Sequence, residues 1–394
     1  MKLRNLAGTA FVMLVLTLSA TPPAANAQSS VPDRLSNMER RIQYLEKRVA
    51  NQDSVIVEKD REIARLKKQD EKATGSWFNK IAITGGVELE TSYASPYTGD
   101  DTSDAAVATA TVGVAAQIHD WVGAEISLLY EEDDTPLEVD TASLTVGPPD
   151  GPWKFTGGQI YVPFGTFETN LISDPLTLEI GETRETALLV GFDKGGFFGS
   201  AYGFNGTNKD GGDNHIDGFG ANAGYRLERE NTELAVSLGY INDVGDSDNL
   251  QDVIGSNLGS NNVTDHVAAW TASAMVKHRG FMLIGEYLSA LDDFQPGEVP
   301  FGTGGARPSA WNIEGGYGVR IAGKDVVFAV AWQGTDEALA LELPESRLLA
   351  GLSVQVLEHA KLSFEWAHDR DYDTADGGTG KSADTATAQL AVEF

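Results

Sequence analysis

The chain contains no cysteine, only six histidines, and half as many basic as acidic residues. Each shortage removes a class of function. Without cysteine there is no disulfide framework and no thiolate metal site, which suits a protein that crosses an oxidising compartment. The histidines are scattered, so no spaced imidazole set points to a metal. With 29 Lys and Arg against 58 Asp and Glu, a formal net charge of −29 argues against a nucleic-acid partner, because gripping phosphate needs basic side chains on the contact face. Long apolar runs are missing too. Beyond the leader no stretch approaches the ~20 residues of a spanning helix. A membrane location would therefore require strands.

What is present begins with an address. Lys2 and Arg4, the mostly apolar run from Leu6 to Ala20, and Ala25-Asn26-Ala27 as a small-x-small site predict a signal peptide over 1–27, cleaved before Gln28. Residues 32–69 then repeat in heptads. Leu35, Ile42, Val49, Ile56 and Ile63 recur every seven residues, with Met38, Leu45 and Leu66 at the offset position. That pattern predicts a short α-helical coiled coil in the periplasm and a homo-oligomer through it. Gln52 and Lys59 interrupt the seam. β-branched residues alternating with leucine lean towards a dimer, whereas a threefold barrel assembly would need a trimer.

From Trp77 onward the period changes from seven to two. Ile81, Ile83, Val87 and Leu89 share one face, with Thr84, Gly86, Glu88 and Glu90 on the other. Val122, Ala124, Ile126 and Leu128 oppose Glu125 and Ser127, and Leu362, Phe364 and Trp366 oppose Lys361, Ser363 and Glu365. Charges recurring on the second face mean that it meets water, so the apolar face meets a core or lipid. About sixteen such segments can be placed, starting near Lys80, Asp104, Trp121, Leu137, Pro152, Thr183, Gly195, Ile216, Asn231, Asp265, Gly280, Ser309, Lys324, Glu345, His359 and Ala383. Short links alternate with long polar loops, and tryptophans flank the segments. The expectation is an all-β transmembrane barrel of about 16 antiparallel strands over 77–394, set in outer-membrane lipid with both ends in the periplasm. A soluble β-sandwich is the rival fold. The closing alternation through Ala386, Ala388, Leu390, Val392 and Phe394 resembles the carboxy-terminal signal read by the barrel-assembly machinery. Leu390, Val392 and Phe394 are its candidate residues.

No catalytic constellation emerges, and no cofactor is implied. Gly377 to Ser382 imitates a phosphate loop but has Ala375 where glycine is required, and a strand follows it. Gly218, Gly220 and Gly224 lie on one face of a strand, as small lumen-facing residues. The run Asp243, Asp246, Asp248, Asp252 lacks calcium-loop spacing and is expected to be a solvated loop. One connection is out of character. Residues 163–182 hold Phe164, Phe167, Leu171, Ile172, Leu176, Leu178 and Ile180, too many apolar groups for a solvated tip. Folded against the inner wall, the loop would narrow the pore; it could instead cap the rim or pack between barrels. In the first case Tyr161, Glu168, Asp174, Glu179, Glu182 and Glu185, against Arg184 alone, would form an acidic constriction. Lumen-facing Glu88, Glu90 and Glu125 would then add to a preference for cations.

Gly158-Gln159-Ile160-Tyr161-Val162-Pro163-Phe164-Gly165, continuing through Ile172-Ser173-Asp174-Pro175-Leu176-Thr177-Leu178-Glu179-Ile180-Gly181-Glu182-Thr183-Arg184-Glu185, resembles the LbtU-type siderophore porin family. The likeness in layout, a secretion signal, a short coiled coil and a sixteen-stranded barrel, covers the whole chain; the motif covers about thirty residues. It implies an outer-membrane porin, without enzyme activity, that passes a small ligand such as a ferric siderophore inward by diffusion. A general cation-preferring porin, and a structural barrel whose coil tethers the envelope, are the alternatives.

Overall fold

The computed structural model describes residues 80–394 apart from 133–134 and 213–214. The expected signal peptide at 1–27 and coiled coil at 32–69 lie outside the described residues. The rest is a closed antiparallel barrel of sixteen strands. In chain order these are β1 Ile81–Ser95, β2 Thr102–His119, β3 Val122–Tyr130, β4 Glu138–Val146, β5 Trp153–Tyr161, β6 Arg184–Lys194, β7 Phe197–Phe204, β8 Gly218–Arg229, β9 Thr232–Ile241, β10 Ala269–His278, β11 Phe281–Ala290, β12 Ser309–Ile321, β13 Lys324–Asp336, β14 Ser346–Leu357, β15 Ala360–Arg370 and β16 Ser382–Glu393. No helix among the described residues is long and apolar enough to cross a membrane.

The alternation along each strand separates two environments. In β11, Ile284, Glu286, Leu288 and Ala290 are buried, whereas Phe281, Leu283 and Tyr287 between them are exposed. The buried set lies under chain folded into the barrel, so the exposed set is the outer wall. Val236, Leu238 and Tyr240 of β9, Phe328, Val330 and Trp332 of β13, and Leu390 and Val392 of β16 continue this apolar exterior. An apolar band outside and polar side chains inside is the arrangement of a barrel made for lipid.

Short links join the strands at one rim, most of them two residues long. Gly195-Gly196, Arg279-Gly280 and Ala322-Gly323 have positive φ at both positions, the backbone of a type I′ turn, whose twist matches that of the flanking strands. The first of these lies two residues beyond the expected link at Asp193-Lys194, which instead ends β6. β10 begins at Ala269 rather than Asp265, because Val267 belongs to a packed loop and is buried there.

The barrel closes between β16 and β1, with Leu390 opposite Leu89 and Val392 opposite Val87. Phe394 and Gly85 then exchange two backbone hydrogen bonds of 3.0 Å. A Cβ on Gly85 would come within 2.6 Å of the Phe394 ring, so the glycine makes room for that ring on the outer face. The seam is therefore centred further along β1 than Ile81.

Candidate functional site

The connection between β5 and β6, residues 162–183, enters the barrel and runs along its inner wall at mid-height. Phe164 comes first. Its carbonyl oxygen accepts a 2.7 Å bond from Thr271 Oγ1 on β10 and sits where a side chain on Gly239 of β9 would be. Three wall carboxylates then take up the loop's polar groups in turn. Glu286 on β11 accepts from the Thr166 and Phe167 amides at 2.8 and 2.9 Å and from the hydroxyls of Thr166 and Thr177. Glu314 on β12 accepts from the Asn170 amide and side chain and from Thr169 Oγ1. Glu365 on β15 accepts from the amides of Ile172 and Ser173 and from Ser173 Oγ. Gln333 Oε1 on β13 receives the Leu176 amide, and Leu171 rests over Gly351 of β14. Backbone amides inside a barrel need acceptors, and a carboxylate supplies several at one point.

Pro175 then leads into a short helix, α1, Leu176–Gly181. Leu176, Leu178 and Ile180 are fully buried in a cluster with Ala187, Tyr202, Phe204, Ile241 and Leu288 of the wall. Burying three such side chains contributes roughly 1.5–3 kcal/mol each. Of the three placements considered for this loop, the interior one is the one observed.

The candidate residues on and around the loop do not gather at one constriction. Asp174, Glu179 and Glu182 are buried, 0%, 1% and 6% exposed, and so form no part of an aqueous surface. The apolar run that pulls the loop onto the wall takes its acids in with it. Asn249 Nδ2 reaches the Glu179 carbonyl and carboxylate. Tyr161 and Arg184 are cross-strand partners at the long-loop end of β5 and β6. Arg184 pairs with Glu138 at 2.7 Å and Asp140 at 3.5 Å, and Tyr161 Oη donates to Asp140 at 2.7 Å. Glu185 sits half-buried beneath the adjoining loops. Glu168 is half-buried at the turn of the pore loop, where Phe167 has φ 51°.

Across the lumen, β16 and β1 to β4 form the other wall. Glu88 and Glu90 point inward and share Gln389 Nε2 at 3.0 and 2.9 Å. Glu125 stands on the inward face with Ser127, which contacts Thr141 and Asp140. These five strands contain no lysine or arginine. The acidic character expected of the pore thus resides on this wall more than on the loop. Glu286, Glu314 and Gln333 were not foreseen. The period-two pattern puts them on the inward face, but their burial as acceptors is a property of the folded loop and leaves no sign in the local sequence.

The loops above are also more ordered than their composition suggests. The acidic run Asp243 to Asp252, expected to be a solvated loop, is packed over its first half, with Asp243 and Asp246 each 1% exposed, whereas Asp248 is half-buried and Asp252 is exposed as expected. A helix, α2, spans Asp248–Leu258. Val244, Leu250 and Ile254 carry the segment into the same apolar cluster that holds α1, which accounts for the burial of the acids between them. Gly218, Gly220 and Gly224 lie under the rings of Phe204, Tyr202 and Phe198, as expected of small inward residues. Gly377 to Ser382 forms no phosphate cradle: Asp371 accepts from the Thr379 amide and hydroxyl there, and β16 follows. No three His, Asp or Glu side chains among the described residues are placed to hold a metal ion.

No family model matches the chain. It is 28% identical over 355 residues to a UPF0422 protein of Legionella pneumophila (strain Lens), covering 80% of this chain and 66% of that protein. It is 27% identical over 340 residues to a UPF0422 protein of Coxiella burnetii (strain RSA 493 / Nine Mile phase I), covering 80% and 72%. The chain thus spans just under two thirds of the length of the Legionella relative. Among solved structures it is similar to OprB of Pseudomonas putida (TM-score 0.58, 13% identity, 80% of this chain and 94% of that one). It is also similar to the outer membrane channel DcaP of Acinetobacter baumannii (TM-score 0.53, 13% identity, 80% and 97%) and to Salmonella typhi OmpF (TM-score 0.52, 12% identity, 80% and 97%). At such identities the likeness establishes a shared fold, the closed sixteen-stranded barrel of porins.

Proposed function

We propose that the protein is an outer-membrane porin, a water-filled channel through which small solutes diffuse into the periplasm. The observation that carries this is the interior loop: a long apolar connection is pinned to the inner wall of the barrel by three carboxylates, where it narrows the lumen. The apolar exterior and the short-turn rim set the barrel in lipid with that rim on the periplasmic side. With Glu88, Glu90 and Glu125 on a wall free of lysine and arginine, the passage favours cations. The ligand we propose is a ferric siderophore, as the resemblance of 158–185 to the LbtU-type porins implies, and of a neutral or cationic kind, since an acidic wall repels anionic complexes.

The refolded protein in planar bilayers tests this. Discrete conductance steps with a cation-selective reversal potential are expected, and micromolar neutral or cationic ferric siderophore should block the current transiently. Cation-selective current without block by any such complex would replace the ligand reading with a general cation-preferring porin; anion selectivity would remove the acidic-wall argument.

A further inference from the structure

Above the pore, two long loops meet around an acidic pair that is shut away from water. Asp243 Oδ1 accepts from the Gly245 and Val267 amides at 3.0 and 3.3 Å, and Asp246 Oδ1 accepts from the Asn208 amide at 2.8 Å. Their second oxygens, both buried, accept no hydrogen bond. His266 Nε2 stands 3.8 Å from Asp243 Oδ2, beyond hydrogen-bond length. Gly206 packs so closely that a side chain there would collide with Asp246. Lys209, whose Nζ is engaged by Asn205 Oδ1 and the Gly206 carbonyl, and the acids Asp217 and Glu185 are the other charged groups facing the pair.

The same loop holds the pore loop from behind. The Asp248 amide donates to the Glu182 carbonyl at 2.9 Å, Asp248 Oδ1 accepts from the Arg184 amide, and Asn249 Nδ2 donates to Glu179. α2 and α1 lie against each other in one apolar cluster. The pair and the pore loop are thus two ends of one packed unit, separated by Val244, Ser247 and the first turn of α2.

We propose that segments 205–210 and 242–268 form a proton-operated latch: with the buried Asp243–Asp246 pair protonated they clamp residues 176–182 in place, and as it loses protons the clamp loosens and the pore loop is released. The charge argument fixes the direction. Burial raises both carboxyls from 3.8 to about 7, and mutual repulsion adds to this at Asp246. Asp248 is raised to about 7 by burial as well, against the opposing attraction of Arg184. The packed loop therefore binds more protons than the opened one between about pH 4 and pH 7, so its stability is full below that window, falls across it and stays low above. Whichever carboxyl of the Asp243–Asp246 pair holds a given proton, the net charge of the pair grows more negative as pH rises.

The proposal rests on the channel function proposed above, and its test separates the two. Because the chain has no cysteine, buried Ser247 and Thr177 can each be replaced by cysteine as reporters of the latch and the pore loop, with exposed Ser256→Cys as the control for intrinsic thiol reactivity. The full chain in detergent micelles is labelled with dithiodipyridine from pH 4.5 to 8. Relative to the control, both reporters should label about tenfold faster or more at pH 8 than at pH 4.5. In the Asp243→Asn/Asp246→Asn background the change should shrink severalfold, leaving the part that Asp248 contributes; a change of undiminished size would overturn the assignment to the pair. Should that double variant not fold, the single variants Asp243→Asn and Asp246→Asn must each shrink the change. Flat labelling of both single-cysteine reporters in the otherwise unaltered chain overturns the latch, whether or not the barrel conducts. A change at Ser247→Cys without one at Thr177→Cys overturns the coupling to the pore. Bilayer currents, read separately, should show more open-channel noise at pH 8; complete absence of current with intact pH-dependent labelling would overturn the channel and leave the latch.

Discussion

Replacing Glu286 by alanine should free the first third of the pore loop. This carboxylate accepts four hydrogen bonds, two from backbone amides at 2.8 and 2.9 Å and two from hydroxyls at 3.2 and 3.1 Å. Hydrogen bonds to a charged acceptor are worth about 1.5–3 kcal/mol each, and a buried donor left without a partner costs about 1–3 kcal/mol. The four share one residue and do not add, so the loss to the anchored state is about 3–6 kcal/mol. At 1.4 kcal/mol per factor of ten, this raises the detached population about a hundredfold to ten-thousandfold. The Thr166 and Phe167 amides report it directly, since Glu286 is their acceptor. Their hydrogen exchange should accelerate by that factor in Glu286→Ala and by less in Glu286→Gln, whose amide oxygen still accepts. The Ile172 and Ser173 amides, held by Glu365, should change far less. Unchanged exchange at residues 166 and 167, or equal acceleration along the whole loop, would refute independent pinning.

Neutralising the opposite wall with Glu88→Gln, Glu90→Gln and Glu125→Gln removes three charges, each worth about 0.5 kcal/mol to a passing ion through water at ~8 Å; salt-gradient reversal potentials should show cation preference falling about tenfold. Gly239→Val puts a side chain where the Phe164 carbonyl lies, 1.8 Å from the new Cβ, and should loosen the loop by about 1–3 kcal/mol, read as added open-channel noise with the barrel intact. Deleting Phe394 removes both hydrogen bonds to Gly85 and should lower the yield of heat-modifiable folded barrel in refolding assays while leaving the conductance of correctly folded molecules unchanged. Gly85→Val should reproduce that defect by displacing the ring.

The barrel was legible because lipid and water impose a two-residue period that every strand repeats, so a local window of sequence suffices. All sixteen expected starts lie within about four residues of the observed ones, and the largest error, Asp265 against Ala269, arose where a loop packs and imitates a strand. The unusual loop could be recognised from its own residues, because seven apolar side chains in one connection demand a surface. What local sequence does not carry is the identity of that surface. Glu286 meets residues 109 to 120 positions away, and Glu365 meets residues 192 or 193 away. Nothing near either glutamate distinguishes it from Glu88 or Glu125, which share its alternation.

That same limit explains why sequence alone spreads the acidity over loop and wall alike. An acid on an apolar loop and an acid on a wall look alike in sequence, but burial separates their roles. Asp174, Glu179 and Glu182 follow their apolar neighbours out of the water, while Glu286, Glu314 and Glu365 are spent on loop amides. On the proposed channel reading, the charge that a solute would meet is therefore set by the wall the loop does not cover. A chain with twice as many acids as bases can bury many of them as hydrogen-bond acceptors and still select cations with the few left on that wall. Selectivity should accordingly respond to Glu88, Glu90 and Glu125, and loop stability to Glu286, Glu314 and Glu365, with little exchange of roles between the two sets.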